Sequence, residues 1–214
     1  MGNIYLIECV MANDMLGLQQ ALARGANEAH IEQSLIVAIQ ERKVPFVAHL
    51  LPHLTTVPHK AFLETIRANS KPCFELLRPY FSLKDQEALC FAARLGRIDP
   101  LKLMAAYCDI AHNGSEALWL AAQQGHAQCV AFLLEGSAPG DYPTALGWAV
   151  RNGKRACLDL LLPYVDNPQD IVDKLNDLCP ELRSNWEWLE AQLQHQRIRE
   201  VVAGQQQLTP PKKL

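Results

Sequence analysis

The chain has 214 residues, of which 49% are hydrophobic and 20% charged, and its formal net charge at pH 7 is −3. These values are ordinary for a globular protein, and the slightly negative charge argues against a general nucleic-acid binder, which would be basic. No apolar run reaches the ~18 residues of a membrane span, and the first residues lack the basic start of a secretory signal. We therefore expect a cytoplasmic protein with no nucleic-acid and no membrane partner.

An apolar pattern recurs six times along most of the chain. Three of its copies read EALCFAARLG at 87–96, EALWLAAQQG at 116–125 and TALGWAVRNG at 144–153. The pattern is anchored on one large apolar residue per copy: Leu6, Leu35, Phe62, Leu89, Leu118 and Leu146. The anchors are 29, 27, 27, 29 and 28 residues apart. A period in this range is typical of a solenoid, in which structural units stack in a row.

Each unit begins with a short predicted helix around its anchor, because apolar residues recur at i, i+3 and i+4. The position three residues after the anchor carries only small side chains, which let neighbouring helices approach closely. These are Cys9, Ala38, Thr65, Ala92, Ala121 and Ala149. The next position is apolar throughout: Val10, Ile39, Ile66, Ala93, Ala122 and Val150.

A turn follows seven residues after each anchor. Its residues are Asn13, Arg42, Asn69, Gly96, Gly125 and Gly153. Glycine and asparagine suit a residue that takes positive φ after a helix, so Arg42 is predicted to be mildly strained. A second short helix is predicted next, with three apolar columns of which only the last is interrupted, at Arg78. Because one such pair of helices cannot bury its apolar face alone, the units are predicted to stack into an all-α solenoid.

The repeat fades after Asp166, so we assign residues 1–166 to six repeats. Residues 167–179 are predicted to form a helix that opens at Asn167 with Pro168 in its first turn. Residues 181–203 are predicted to form a longer helix with an apolar stripe that ends at Val201 or Val202. Solenoids need a terminal unit with a polar outer face, and we expect residues 167–203 to be this C-terminal cap. Residues 204–214 are predicted to be a flexible tail.

The pattern resembles the ankyrin repeat. The resemblance is clearest at residues 117–138, ALWLAAQQGHAQCVAFLLEGSA, where His126 follows Gly125 as in the family motif ALxxAAxxGH…VxxLLxxGA. It is most specific within residues 87–166 and weaker in the first three units. The resemblance implies a helix-turn-helix solenoid that binds proteins through its concave groove.

The chain departs from that family in its period and in the start of the repeat. Its 27–29 residues are fewer than the ~33 of an ankyrin repeat, and the missing residues fall between units, where the family carries a β-hairpin. We therefore expect these hairpins to be short or absent. The family's opening Thr-Pro-Leu-His is also degenerate, with Trp119, Cys90 or Gly147 in the histidine position. A HEAT-like or TPR-like helical repeat is the alternative architecture, although its period is longer.

The candidate binding residues lie just after the core positions of the first helix, where the resemblance implies a partner-contacting groove. Three arginines share one of these columns and would form a spaced cationic stripe, which suits the recognition of carboxylates. Trp119 is a candidate aromatic anchor. The predicted groove residues are Arg67, Arg94, Leu95, Trp119, Gln123, Gln124, Arg151 and Asn152. A solvated helix face with Trp119 in the core is the alternative interpretation.

No catalytic or metal-binding motif is recognisable, so no catalytic residue, metal ligand or cofactor is predicted. The seven cysteines form no CxxC pair. Cys73, Cys129 and Cys157 share one column of the second helix, where cysteine acts as a small hydrophobe.

We interpret the chain as a non-enzymatic interaction module, monomeric when free, whose protein partner has an acidic surface. It would serve as an adaptor, an inhibitor or an immunity-like protein. Two alternatives remain at this point: a bacterial effector that is delivered into a host cell and targets a host protein, and an enzyme with its active site on the groove. The effector interpretation rests on family analogy alone.

Overall fold

The computed structural model describes residues 2–81, 86–106 and 110–195, and these contain helices and turns but no strand. The first helices of the six units are α1 (Gly2–Ala12), α3 (Glu28–Gln40), α5 (His59–Ala68), α7 (Gln86–Arg94), α9 (Ile110–Gln124) and α11 (Tyr142–Arg151). The second helices are α2 (Met15–Ala23), α4 (Val44–Leu50), α6 (Lys71–Leu77), α8 (Ile98–Ala105), α10 (Ala127–Leu134) and α12 (Arg155–Leu161). Each first helix packs on the first helix of the next unit, and α4 to α12 stack likewise in a second layer. The predicted all-α solenoid is confirmed.

The core of the solenoid consists of the predicted columns. All six anchors are at most 1% exposed, and the two columns that follow them are at most 4% exposed. The outermost column of the second helix is less complete, because Arg78, Ala105 and Leu162 are only half-buried. Ala21 in the first unit is also half-buried. The register read from the sequence is therefore the register of the packed helices.

The turn residues have the predicted backbone conformation in every unit. Their φ angles lie between 51° and 88°, and Arg42 has a φ of 54°. This left-handed conformation costs an arginine more than a glycine, because its Cβ approaches the following carbonyl oxygen. The predicted strain at Arg42 is thus present in the fold.

Side chains just after the turn tie units two and five to the units before them. Lys43 Nζ donates to the carbonyl oxygens of Val10 at 2.6 Å and Met11 at 2.9 Å. His126 Nε2 donates to the carbonyl oxygen of Arg94 at 3.0 Å. The last carbonyls of a helix have no partner within the helix, so these bonds satisfy groups that would otherwise need water.

The connections between units are short. Residues 24–27 and 54–58 join the first three units, and residues 135–138 with the 3₁₀ turn Pro139–Asp141 join the last two. None of these segments contains a strand, as expected from the shortened period. The other two connections contain residues 82–85 and 107–109, which lie outside the described residues.

In units two, three and six a proline follows the second helix and ends it. These prolines lie within the 3₁₀ turns Leu51–His53, Arg78–Tyr80 and Leu162–Tyr164. Proline cannot donate the hydrogen bond that would continue the helix.

The C-terminal segment packs against the last unit. Its first helix, α13 (Pro168–Leu178), begins after Asn167 as predicted and contacts α11. The prediction of one helix from residue 181 is wrong: Pro180–Asn185 is a 3₁₀ turn, and α14 covers residues 187–195. The break lies at Trp186, which is fully buried and donates its indole N–H to Asn176 Oδ1 at 2.8 Å. Residues 196–203, with Val201 and Val202, and the predicted tail at 204–214 lie outside the described residues.

The cysteine column of the second helix is buried. Cys73, Cys129 and Cys157 are at most 1% exposed. Burial raises the pKa of both the Cys129 and Cys157 thiols to about 11. These thiols are therefore neutral at physiological pH and act as small apolar groups, as the sequence indicates.

Enlarging the small column should test the helix packing directly. Ala121 is fully buried where first helices meet, so Ala121→Leu is expected to destabilise the chain by about 1–3 kcal/mol through overpacking. Urea unfolding measures this loss as a lower midpoint. The control is Ala156→Leu on the exposed side of α12, which should change stability by no more than about 0.5 kcal/mol. Equal midpoints for both variants would show that Ala121 is not in a tight contact.

Candidate functional site

Two of the predicted groove arginines meet at one aromatic ring on the exposed side of the first helices. Phe91 on α7 lies between Arg67 of α5 and Arg94 of its own helix. The guanidinium carbons lie 5.7 Å and 5.3 Å from the ring centroid, respectively. Both distances are within the range of cation–π attraction. Arg67 and Arg94 therefore form one cationic patch, which we call the arginine pair.

The third predicted arginine belongs to a second aromatic group in the last two units. Trp119 of α9 and Trp148 of α11 stack with their ring centroids 5.4 Å apart and an interplanar angle of 25°. Arg151 lies 5.6 Å from the centroid of Trp148. Trp119 and Trp148 are both half-buried, so each ring keeps an accessible surface. Trp119 thus lies at the edge of the core, with one part of its ring packed on Trp148 and another part accessible.

The remaining predicted groove residues lie at the ends of the first helices and make local contacts. Leu95 and Gln123 are half-buried, while Gln124 and Asn152 are exposed. Asn152 donates its side-chain amide to the carbonyl oxygen of Trp148 at 2.8 Å. Its amide group therefore already has a partner within its own unit.

A column of apolar residues between these groups was not predicted. Phe91, Leu120 and Trp148 each lie two residues after an anchor, and all three are half-buried. We call these three residues the apolar track. Their spacing repeats the ~28-residue period, and this recurrence is the sequence feature from which the column could have been predicted. The first three units, however, have Glu8, Val37 and Glu64 in the same position. The track is therefore confined to units four to six.

A cavity of about 470 Å³ opens beside the track between α7 and α9. It is lined by Gln86, Glu87, Cys90, Phe91, Arg94, Glu116 and Leu120. Its two glutamates lie two residues before their anchors, whereas Arg94 lies five residues after its anchor. The cavity thus has carboxylates towards one end of the helices and a guanidinium towards the other.

The track is bounded at both ends. In unit three its position is occupied by Glu64, which is 6% exposed. The Glu64 carboxylate lies 3.7 Å from Arg67 Nε and 3.5 Å from Gln40 Nε2. Beyond unit six, Ile171 of α13 approaches Gly147 so closely that a methyl group there would lie 3.6 Å from Ile171 Cγ2. The accessible apolar surface is therefore three units long.

Comparison with known proteins identifies the architecture. The sequence profile for ankyrin repeats (3 copies) matches residues 6–140 and 89–174, which is most of the chain. The chain belongs to the ankyrin-repeat family. Among solved structures it is similar to the ankyrin repeat domain of human ASB11, with a TM-score of 0.60 and 21% identity over 76% of this chain and 84% of that chain. At this identity the likeness shows the fold alone, and no curated protein sequence matches.

Membership of the ankyrin-repeat family decides between the architectures considered from the sequence. The family match spans all six units, so the HEAT-like and TPR-like alternatives are excluded. Ankyrin repeats are generally protein-protein interaction modules. The exposed first-helix face, with its arginines and apolar track, is therefore the candidate interaction surface of this ankyrin-repeat protein.

The part of the chain that the structure describes shows no second kind of site among its histidines, cysteines and carboxylates. Within it no group of three or more His, Cys, Asp or Glu side chains could hold a metal ion. The two ring nitrogens of His49 lie 3.0 Å from the Pro45 carbonyl oxygen and 3.2 Å from Gln19 Nε2. Nor is any helix in this part long and apolar enough to cross a membrane.

Proposed function

We propose that this ankyrin-repeat protein is a non-enzymatic interaction module whose partner protein binds the first-helix face of units three to six. The observation that carries the proposal is the arginine pair, two guanidinium groups held at one half-exposed ring by neighbouring units. Arginine and aromatic residues are enriched at the energetic centres of protein interfaces. A partner carboxylate at this patch would meet two donors at once.

The second aromatic group extends the proposed surface. The Trp119–Trp148 stack presents a wide ring surface, and Arg151 adds a positive charge at its rim. Stacked rings lose little conformational entropy when a partner covers them, because their neighbours already fix them. The surface therefore offers two aromatic contacts, each with a cation beside it, to a partner that carries acidic and apolar side chains.

Within this function we favour an adaptor or an inhibitor of another protein. The ankyrin-repeat fold is typically non-enzymatic, and the charged groups at the cavity suit ionic pairing with a partner. A role as an effector that targets a host protein would use the same surface. Identification of the captured partner, for example a toxic enzyme from the same cell or a host protein, distinguishes the two roles.

The test reverses the charge of two arginines on the proposed surface. Arg94→Glu combined with Arg151→Glu is expected to weaken binding of the captured partner by about tenfold or more, through lost pairing and steering. Arg67 is left intact because it lies beside the buried carboxylate of Glu64. Affinity purification from the native organism, followed by titration of the captured partner, measures the loss. Thermal melting should show that this double variant remains folded.

The matched control reverses two lysines on the second helices. Lys71 and Lys102 are exposed on α6 and α8. Lys154 is unsuitable as a control, because its side chain lies against the turn at Gly125, where a Cβ atom would be 2.8 Å from Lys154 Cδ. Loss of the partner in the lysine variant, with binding retained in the arginine variant, would place the interface on the second-helix face and overturn the proposal.

A further inference from the structure

The first-helix face of units four to six is polarised across its width. Glu87 and Glu116 each lie two residues before the anchor of their unit and line the cavity. The apolar track occupies the middle of the face. Arg94 and Arg151 lie near the helix ends, and Arg67 of unit three lies beside Arg94 at the Phe91 ring. Because the first helices pack in one register, equivalent residues align from unit to unit. The surface therefore has an acidic edge in units four and five, an apolar track through units four to six, and an arginine edge at units three, four and six.

We propose that the partner segment bound here is an amphipathic α-helix that lies along the apolar track, with an acidic flank against the arginine edge and a basic flank against the acidic edge. This inference rests on the proposed function and names the chemistry of the partner. It differs from recognition of a uniformly acidic surface, because the exposed Glu116 would repel carboxylates on its side of the track. A partner with opposite charges on its two flanks avoids that repulsion.

The shape of the surface favours a helix over an extended strand. A helix carries its apolar side chains in one stripe, and the positions on either side of this stripe can hold opposite charges along its whole length. A strand points alternate side chains to opposite faces, so half of them would face solvent and few would reach either edge. An apolar track with a charged edge on each side thus matches the cross-section of an amphipathic helix.

The length of the track sets the length of the bound helix. Phe91 and Trp148 are two units apart, which corresponds to about 20 Å when packed helices are ~10 Å apart. A helix covers that distance with about 14 residues, and its apolar side chains would recur at i, i+3 or i+4 and i+7. Glu64 limits the contact at one end, and α13 limits it at the other. The Trp119–Trp148 stack would receive the largest apolar side chain.

Synthetic helical peptides test this inference. Three peptides of about 18 residues share one leucine-rich stripe and differ only in their flanks: Glu on one and Lys on the other, Glu on both, or Lys on both. Titration is followed by nuclear magnetic resonance of the tryptophan indole N–H groups. The peptide with opposite flanks should shift the signals of Trp119 and Trp148, leave buried Trp186 unchanged and bind at least about threefold more tightly than either other peptide.

Variants of the protein connect the binding to named residues. Phe91→Ala should weaken binding of the peptide with opposite flanks, whereas Phe132→Ala, which truncates a half-buried ring on the second helix α10, should not. Glu116→Lys should weaken binding of this peptide and strengthen binding of the doubly acidic one. Unfolding midpoints show whether a variant has lost its fold. If Phe91→Ala does not fold, Glu116→Lys still tests the inference, because Glu116 is exposed and its substitution should leave the fold intact.

Several results would overturn the inference. Tightest binding of the doubly acidic peptide at the same tryptophans would refute the polarised partner but leave the arginine-based proposed function standing. Equal binding of a proline-containing, non-helical peptide of the same composition would refute the helix. Absence of any shift at Trp119 and Trp148 with all three peptides would refute the proposed track contact. The proposed function itself fails only if Arg94→Glu with Arg151→Glu leaves the captured partner bound.

Discussion

A fragment that ends at Asp166 is expected to aggregate, or to melt well below the full-length chain. The residues beyond it contribute fully buried side chains, including Val172, Trp186 and Leu189, and α13 and the 3₁₀ turn Pro180–Asn185 pack against α11 of the last unit. Their removal leaves the flank of unit six open to water, and a solenoid without a terminal cap loses solubility. We expect a loss of at least about 3 kcal/mol, equivalent to a melting temperature lower by roughly 6–12 °C.

Circular dichroism melting and light scattering measure this effect. Trp186→Ala provides a finer version of the experiment, because it removes one fully buried indole and should cost about 3–5 kcal/mol. Truncation after Gly204 serves as the control and is expected to leave folding unchanged. A soluble fragment of residues 1–166 with the stability of the intact chain would show that the C-terminal helices are not a cap.

The second large effect is expected at the turn of unit four. Gly96 has a φ of 67°, and a Cβ atom there would lie 2.5 Å from the ring of His126. Gly96→Ala should therefore impose backbone strain and displace the imidazole from the Arg94 carbonyl oxygen. Together these effects are expected to cost about 2–3 kcal/mol, of which the lost hydrogen bond contributes about 1 kcal/mol. Urea unfolding provides the measurement.

The matched control for this prediction is Gly25→Ala. Gly25 also has a positive φ, of 82°, but a Cβ atom there would meet nothing within 4 Å. Only the strain of about 1–2 kcal/mol should appear. At Arg42 the strain is already present, so Arg42→Gly should relieve it and is expected to stabilise the chain, opposite in sign to both alanine substitutions. If Gly96→Ala and Gly25→Ala destabilise the chain equally, the contact of His126 with the preceding unit contributes nothing to stability.

The sequence was sufficient to predict the fold because its signal is periodic. Each core column is sampled six times, so one deviation, such as Arg78, does not hide it. The same redundancy predicted positive φ at Arg42, where the residue type alone argues against it. Periodicity carried less information beyond Asp166, where no second copy exists. There the apolar spacing suits a single helix from residue 181, but the chain breaks at the buried Trp186 into a 3₁₀ turn and a helix.

The candidate site was only partly predictable for a related reason. Three arginines in one column were recognised, and the structure brings Arg67 and Arg94 to the same ring. The apolar track was missed because its column changes character along the chain, from Glu64 in unit three to Phe91 in unit four. The cavity was missed because it lies between units, and its walls come from residues about 30 positions apart, such as Glu87 and Glu116. The recurrence of residue types at one repeat position does not show which positions of adjacent units face each other.

The hydrogen bonds between units have a consequence for the entropy of recognition. The carbonyl of Arg94 is held by His126, and that of Arg151 is held at 2.9 Å by Asn185 Nδ2 from the C-terminal segment. The backbone beneath both arginines is thus fixed before a partner arrives, and only the side chains remain to be ordered on binding. Ordering of one long side chain costs about 0.5–1.5 kcal/mol, less than ordering it together with a mobile helix end. His126 and Asn185 lie outside the proposed binding surface, yet they help to fix the distance between Arg94 and Arg151 that a partner must match.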